Sequence, residues 1–282
     1  MSSSIIQTAL IAASLFYVDQ PVVTMREQPT TDSKVASQAI FSEKVEVGAT
    51  QDGWTFVKTS DGYSGWVPSG SFIELKSPYE TSLMVSRPSA HVYGIKDTET
   101  GPLLTLPYGS RLKALDTTDP RWIAIALPNG KSCYIQKGDV APEAKPETKA
   151  DLAVLSQKFI GLPYAFGGRS SFGYDCSGFV QMLYTQMNIS LPRNAQQQFL
   201  DTRFKTVKLC DAQPGDLIFF GASEQKIVHV GMYLGNDLFI HAMVRENQPW
   251  IQISNMTSLY WSGKYDSALP YRAIRQLVSS GN

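Results

Sequence analysis

Short apolar segments separated by turns make up the first half of the chain. From about residue 17 to 76 these segments are Val45–Val47, Trp54–Lys58 and Gly65–Val67, with the Asp61–Gly62 turn before the last. Strands this short and this evenly spaced are typical of a small barrel. The same layout recurs more faintly from about residue 80 to 142, in Leu103–Tyr108, Arg111–Leu115, Arg121–Ile125 and Cys133–Ile135. We therefore predict two small β-barrels in succession.

A change of composition follows the second barrel. Residues 141–149 are rich in Pro, Glu and Lys and lack large apolar side chains, which is typical of a solvated linker. We predict three domains, at residues 1–77, 78–143 and 149–282. The length of 282 residues agrees with several domains, because a single domain usually holds roughly 100–150 residues.

The last domain has helical patterns first and strand patterns later. Asp151–Ile160 and Ser177–Met187 carry apolar residues at helical spacing, with Asp151 as a possible N-cap and Gly161 as a stop signal. The predicted strands are Asp216–Phe220, Val228–Leu234 and Leu238–Ala242. Helices followed by strands indicate the α+β class.

Charge and cysteine usage narrow the function classes. Lys plus Arg and Asp plus Glu number 25 each, without long runs of either sign, so a nucleic-acid partner is not expected. The three cysteines, Cys133, Cys176 and Cys210, are odd in number and lack CxxC spacing. This pattern indicates neither a disulfide framework nor a zinc site, and at least one thiol should be free.

An apolar stretch lies near the N-terminus, at Ile5–Phe16. The first basic residue of the chain is Arg26, so the stretch lacks the basic region that precedes the apolar core of a signal peptide. We favour a helix or first strand packed on the first barrel over an export signal. The stretch is too short to span a bilayer, and no other segment is long enough.

Cys176 stands between a glycine-containing turn and the second predicted helix. Unpaired N–H groups and the positive dipole end of a helix favour a thiolate at that position, although a lone cysteine is more often a small buried hydrophobe. His91 lies in the second barrel, whereas His229 and His241 lie in predicted strands of the third domain. Only the last two are candidates for the base that draws a proton from Cys176.

Five motifs follow one another in the third domain: Gly161–Gly168, Tyr174–Val180, Leu191–Arg193, Gln213–Leu217 and His229–Tyr233. Each is weak alone, but the ordered set resembles the NlpC-type cell-wall peptidase family over about residues 149–275. The first barrel resembles bacterial SH3-like domains in Gly53–Val57 and Gly65–Val67. The resemblance implies an α+β protein: a permuted papain-like cysteine peptidase domain preceded by two small SH3-like β-barrels.

The resemblance assigns Cys176 as nucleophile, His229 as general base and His241 as the residue that orients the base. A buried strand histidine bonded to the backbone remains the alternative for His241. Tyr164 matches a position whose hydroxyl contacts the substrate or the developing oxyanion, and a core tyrosine is the alternative.

In relatives that act on short muropeptides, the residues matching Asp175 and Ser177 bind the substrate's L-Ala. The first SH3-like domain closes that end of the groove there, and Glu27 and Tyr63 are the candidates for this wall. Asp175 could instead cap the helix, and the barrels could be tethers to the cell wall. For Arg193 we favour pairing with a local acid over binding of a substrate carboxylate.

The implied reaction is hydrolysis of the γ-D-glutamyl–diamino acid amide in peptides such as L-Ala-γ-D-Glu-diaminopimelate, through a thioacyl enzyme at Cys176, with no metal or organic cofactor. Amidase or acyltransferase chemistry at Cys176 and His229 is one alternative, and a non-catalytic cell-wall-binding protein is another. An enzyme that requires a free L-Ala amine suits recycling of peptides in the cytoplasm, with export as the alternative. We expect a monomer.

Overall fold

A computed structural model describes residues 14–143, 146–244, 248–258, 260–261 and 269–278. Seven antiparallel strands form the first sheet, in the order β3-β2-β6-β5-β4-β1-β7. They are β1 (Leu15–Val18), β2 (Val22–Arg26), β3 (Val35–Ile40), β4 (Lys44–Gln51), β5 (Trp54–Lys58), β6 (Ser64–Pro68) and β7 (Phe72–Leu75). The predicted apolar segments fall in β4, β5 and β6. Of the N-terminal apolar stretch, residues 5–13 lie outside the described residues, and its end begins β1.

A second sheet of seven strands follows, in the order β10-β9-β13-β12-β11-β8-β14. The strands are β8 (Leu83–Val85), β9 (Ser89–Tyr93), β10 (Leu104–Pro107), β11 (Arg111–Asp116), β12 (Trp122–Ala126), β13 (Ser132–Gln136) and β14 (Val140–Pro142), with a 3₁₀ turn at Lys137–Asp139. The predicted linker is wrong at its start, because Ala141 and Pro142 pair with β8. Proline is tolerated there because β14 is an edge strand.

The described residues after 146 form three short α-helices, two 3₁₀ turns at Gln157–Phe159 and Leu209–Asp211, and a six-stranded antiparallel sheet. The helices are α1 (Lys149–Ser156), α2 (Cys176–Thr185) and α3 (Ala195–Phe199), and a two-stranded ribbon, β15 (Arg169–Ser170) and β16 (Gly173–Tyr174), precedes α2. The sheet contains β17 (Phe204–Val207), β18 (Leu217–Ser223), β19 (Lys226–Gly235), β20 (Leu238–Ala242), β21 (Ile251–Asn255) and β22 (Tyr271–Leu277). Their order is β17-β22-β18-β19-β20-β21, so all three predicted strands lie side by side.

Helix α1 begins earlier than the sequence pattern indicated. Thr148, and not Asp151, is the N-cap, and its side chain accepts a hydrogen bond from the Asp151 N–H. The Asp151 carboxylate in turn accepts from the Thr148 N–H at 2.9 Å. This reciprocal capping box places the acidic residue in the first turn, so the expected N-cap was wrong by three residues.

Helix α2 packs closely against the loop that precedes it. Phe179, Val180 and Leu183 are fully buried in the core that α2 shares with the six-stranded sheet. A Cβ on Gly178 would lie 2.1 Å from the carbonyl oxygen of Gly168. Glycine is therefore required at residue 178, because any side chain would push the loop away from the start of α2.

Arg169 joins the first barrel to the third domain. Its side chain is 11% exposed and lies 3.2 Å from the Glu43 carboxylate and 3.4 Å from the Asp61 carboxylate. It also donates to the Gln38 carbonyl at 2.7 Å. Burial opposes ionisation of Asp61, but Arg169 and hydrogen bonds from Thr59, Tyr63 and Gln181 outweigh it and hold the pKa of Asp61 below its usual value.

The second barrel contacts the third domain through Tyr108. Its backbone N–H donates to Ser171 Oγ at 2.8 Å, and its ring meets Phe159 edge-on at 4.9 Å between centroids. Tyr108 belongs to the same buried cluster as α2. Both barrels are therefore packed on the domain that carries Cys176.

Among the described residues, no helix combines the length and apolar character needed to cross a bilayer. The longest, α2, has 10 residues.

Candidate active site

Cys176 is the first residue of α2 and is partly buried. Burial and the nearby Asp175 carboxylate raise the pKa of the Cys176 thiol to about 12, whereas the backbone N–H groups of Val230 and Ser177 and the charge of Arg193 act in the opposite direction. The contact with the Val230 N–H places the sulfur against β19, at the residue that follows His229 in the chain. At this pKa a thiolate needs a neighbouring cation in order to form near neutral pH.

Asp175 caps α2 and forms a buried ion pair with Arg193. Its carboxylate accepts from the Gly178 N–H at 2.7 Å and from the Gly167 N–H at 3.0 Å. Arg193, only 2% exposed, donates to both carboxylate oxygens, at 3.0 and 2.6 Å. The structure therefore shows Asp175 capping α2 and Arg193 paired with a nearby acid, two possibilities raised by the sequence.

Arg193 also reaches the first barrel. Its Nε donates to Ser37 Oγ at 3.0 Å, and Ser37 is fully buried in β3. The Ser177 hydroxyl takes part in the same network, since it accepts from Arg193 at 3.0 Å and donates to Asp175 at 3.2 Å. The residue pair that flanks Cys176 is thus held rigidly by a side chain that bridges two domains.

His229 and His241 lie on neighbouring strands, β19 and β20. Their Nε2 and Nδ1 atoms, respectively, are 2.8 Å apart. Gly231, two residues after His229, faces His241, and a Cβ there would come within 3.1 Å of the His241 Cβ. The rings are therefore diagonal neighbours across an antiparallel pair, and Gly231 leaves space for the His241 ring.

Ser254 on β21 extends the histidine pair to a chain of three groups. Its Oγ lies 2.9 Å from His241 Nε2. His241 is fully buried, and burial, together with the proximity of His229, holds its pKa well below the usual value, so it stays neutral. A neutral His241 that donates from Nε2 to Ser254 accepts from His229 at Nδ1, which leaves Nδ1 of His229 as a base.

Tyr164 lies in the loop before α2 and is close to Cys176. Burial and the charges of Cys176 and Asp175 raise its pKa well above the usual tyrosine value, while Arg193 opposes this. The phenol is therefore a neutral hydrogen-bond donor near the sulfur at any physiological pH. The structure places Tyr164 with the candidate catalytic residues.

The two candidates from the first barrel are placed differently. Tyr63 lines a cavity of about 440 Å³ with Pro192, Arg193 and Leu200, at the junction with the third domain. Glu27 is exposed in the turn after β2, and its N–H donates to the Lys34 carbonyl at 3.0 Å. Tyr63 thus lines the same cavity as Arg193, whereas Glu27 lies in the hairpin that leads into β3.

The hairpin that carries Glu27 approaches the loop before α2. A Cβ on Gly167, whose φ is +75°, would lie 2.5 Å from Val35 Cγ1 at the start of β3. The same Gly167 donates its N–H to Asp175. The turn with Glu27 therefore lies on the Asp175 side of the third domain.

Sequence reasoning missed Ser254 altogether and gave Arg193 no fixed partner. Ser254 lies in a strand that no pattern indicated. Nothing in the sequence shows that this serine bonds to a histidine 13 residues earlier. Among the described residues no cluster of three His, Cys, Asp or Glu side chains is arranged to hold a metal ion. All three cysteines are free; Cys133 is buried and Cys210 is exposed.

Comparisons with known proteins agree with this architecture. Residues 161–269 match the NlpC/P60 family, and residues 25–72 match the bacterial dipeptidyl-peptidase SH3 domain. A γ-D-glutamyl-L-lysine dipeptidyl-peptidase of Bacillus subtilis is 33% identical over 228 residues, which cover 75% of this chain and 73% of that protein. Dipeptidyl-peptidase 6 of Lysinibacillus sphaericus is 23% identical over 267 residues, 89% of this chain and 94% of that protein.

A solved structure of similar fold covers nearly the whole molecule. An NlpC/P60 family protein from Bacillus cereus superposes with a TM-score of 0.79 at 24% identity, covering 93% of this chain and 99% of that one. The papain-like domain with SH3-like barrels before it, as expected from the sequence, is therefore confirmed. The chain belongs to the NlpC/P60 family and is a cysteine peptidase with an N-terminal bacterial dipeptidyl-peptidase SH3 domain.

Proposed function

We propose that the protein is an endopeptidase that hydrolyses the amide between γ-D-Glu and a diamino acid in peptidoglycan stem peptides with a free N-terminal L-Ala. The observation that carries the proposal is the His229–His241–Ser254 chain, which starts on the strand that Cys176, at the N-terminus of α2, contacts through the Val230 N–H. The Bacillus subtilis relative, a γ-D-glutamyl-L-lysine dipeptidyl-peptidase, supports this class of substrate.

In the proposed mechanism His229 takes the proton from the Cys176 sulfur, and the thiolate attacks the γ-carbonyl carbon. Tyr164 and the backbone N–H of Cys176 donate to the oxygen that becomes negatively charged. The carbon–nitrogen bond then breaks, and His229 returns its proton to the departing amine. Water, deprotonated by His229, hydrolyses the thioester and restores the thiol. His241 keeps the His229 ring oriented during both steps.

The end of the groove that receives L-Ala is proposed to be built by two domains. Asp175 and Ser177 contribute from α2, and Glu27 and Tyr63 contribute from the first barrel. Because Arg193 already neutralises Asp175, a second carboxylate is needed to balance a substrate ammonium, and the exposed Glu27 supplies it. A closed end of this kind admits a free amine and excludes an acylated alanine.

We also propose the domain bounds and the cellular location. We place the domains at residues 1–77, 78–143 and 149–282, since each contains one of the three large sheets. A requirement for a free L-Ala amine fits peptides released by cell-wall turnover, and we therefore propose action in the cytoplasm on such peptides, by a monomer.

Mass spectrometry of defined peptides tests the reaction and its specificity. L-Ala-γ-D-Glu-diaminopimelate, its lysine counterpart and the N-acetylated form of each are incubated with wild type, Cys176→Ala and Cys210→Ala. We expect release of L-Ala-γ-D-Glu from free-amine peptides only, by wild type and Cys210→Ala but not by Cys176→Ala. The exposed Cys210 is the matched control for loss of a thiol.

Other outcomes would change the proposal in defined ways. Equal cleavage of acetylated and free peptides would contradict the closed groove and indicate an enzyme of the intact wall. No cleavage of any peptide would contradict the substrate class and favour amidase or acyltransfer chemistry. Cleavage by Cys176→Ala would exclude Cys176 as the nucleophile.

A further inference from the structure

The imidazole of His229 lies against an indole that no part of the proposed mechanism uses. The rings of His229 and Trp261 are stacked, with centroids 5.4 Å apart and planes inclined by 26°. Trp261 is 7% exposed, and its ring centroid lies 5.1 Å from that of Phe239, nearly perpendicular to it, and 4.7 Å from that of Phe220. The indole is thus fixed from two strands, with one face directed at the candidate base.

Trp261 also contacts the second histidine of the chain. Its ring meets His241 almost at a right angle, with centroids 5.0 Å apart. One tryptophan therefore covers both rings on either side of the His229–His241 hydrogen bond. Such a position limits rotation of the imidazoles and keeps water from that bond.

We propose that Trp261 is a positioning residue that stabilises the imidazolium form of His229 through its indole face. The inference rests on the proposed roles of Cys176 and His229. A cation within about 6 Å of an aromatic face is attracted by the negative face of the ring, most strongly for tryptophan. The stacked geometry meets this requirement when His229 has taken the proton from Cys176.

Stabilising the imidazolium also stabilises the thiolate, because the two charges form together. Titratable and charged groups around the pair include His241, Asp175, Arg193 and Tyr164, and a substitution at residue 261 removes none of these four groups. Loss of the indole should therefore lower the population of the thiolate–imidazolium pair near neutral pH and have no effect once the thiol ionises without the imidazolium.

Alkylation of Cys176 by iodoacetamide measures this population without any substrate. Rates are followed from pH 5 to 11 by mass spectrometry for wild type, Trp261→Phe and Trp261→Leu. We expect Trp261→Leu to react about tenfold more slowly at pH 7, and the difference from wild type should narrow toward pH 11, where ionisation of the thiol without the imidazolium begins to contribute. Trp261→Phe, which keeps an aromatic face, should stay within about threefold of wild type.

The matched control is Trp122→Leu, which removes a buried tryptophan from β12 in the second barrel. It should lower thermal stability without changing the alkylation profile. With the tripeptide substrate, Trp261→Leu should lower kcat about tenfold and leave KM unchanged, because the indole is assigned no contact with substrate.

Three results would overturn the inference. A Trp261→Leu rate equal to or above wild type at pH 7 would mean that the indole does not favour the ion pair. A loss uniform across pH, or equal losses for Phe and Leu, would indicate a general packing role only. If wild-type Cys176 reacts no faster at pH 7 than Cys210, the catalytic pair itself fails, and this result is distinct from the other two.

Discussion

His229 Nε2 lies 2.8 Å from His241 Nδ1, across two adjacent antiparallel strands. The second ring is fully buried and neutral, so in the proposed mechanism it orients the first ring and does not compete with it for the proton of Cys176. The different roles that we propose for the two histidines therefore follow from burial: the His229 ring is partly accessible, and the His241 ring is enclosed between strands.

Replacing His241 tests the orienting role. His241→Ala should lower kcat about 100-fold with little change in KM, because His229 loses the acceptor that fixes its tautomer. His241→Asn, whose side-chain oxygen can accept in place of Nδ1, should recover about tenfold. The measurement is steady-state hydrolysis of the free-amine tripeptide, with His91→Ala from the second barrel as the control. Equal activity of His241→Ala and wild type would leave His241 as a structural residue.

Ser254 is expected to act through His241. Ser254→Ala leaves the buried Nε2–H of His241 without an acceptor and should destabilise the protein by about 1–3 kcal/mol. It should also lower kcat, because the proton of His241 is then no longer held on Nε2. Ser254→Thr keeps the hydroxyl and should restore both properties. Urea unfolding and steady-state kinetics provide the two readouts, and a stability loss without any change in kcat would separate Ser254 from catalysis.

Asp61, in the contact between the first barrel and the third domain, should make the folding stability of the protein depend on pH. Its folded-state pKa is lowered, so its contribution to stability is present above the unfolded pKa of about 3.9 and is lost as pH falls through the folded value. Asp61→Asn should therefore lower Tm clearly at pH 7, and the difference from wild type should shrink below about pH 4. Calorimetry across this range provides the measurement. Asp32→Asn, at an exposed turn, is the control and should show no such pH-dependent difference.

Replacing Tyr63 distinguishes two roles for the first barrel: a wall of the substrate groove or a tether to the cell wall. If the first barrel forms part of the groove, Tyr63→Ala should lower kcat/KM on the soluble tripeptide about tenfold, mainly by raising KM. Tyr134→Ala, a comparable change in the second barrel, should leave the kinetics unchanged. Unchanged kinetics for Tyr63→Ala, combined with weaker retention on purified cell walls, would assign the barrel to tethering.

Much of the fold was predictable because its signals are local. The strands containing Trp54 and Trp66 and the helix after Cys176 follow from residue spacing and turn residues within a few positions of each other. The predictions that failed concern the start of a helix and the edge of a sheet. Thr148 caps α1 in place of Asp151, and Ala141 joins a strand, because capping and edge pairing depend on backbone partners that composition does not reveal.

The order of motifs along the chain was enough to identify the candidate nucleophile, Cys176, and the two candidate histidines, His229 and His241. The side chains that surround these three residues became visible in the folded structure. Ser254 bonds to His241, Trp261 stacks on His229 and Arg193 neutralises Asp175. Strand register and domain packing bring these partners together. Long-range contacts of this kind produce no periodic pattern in the sequence.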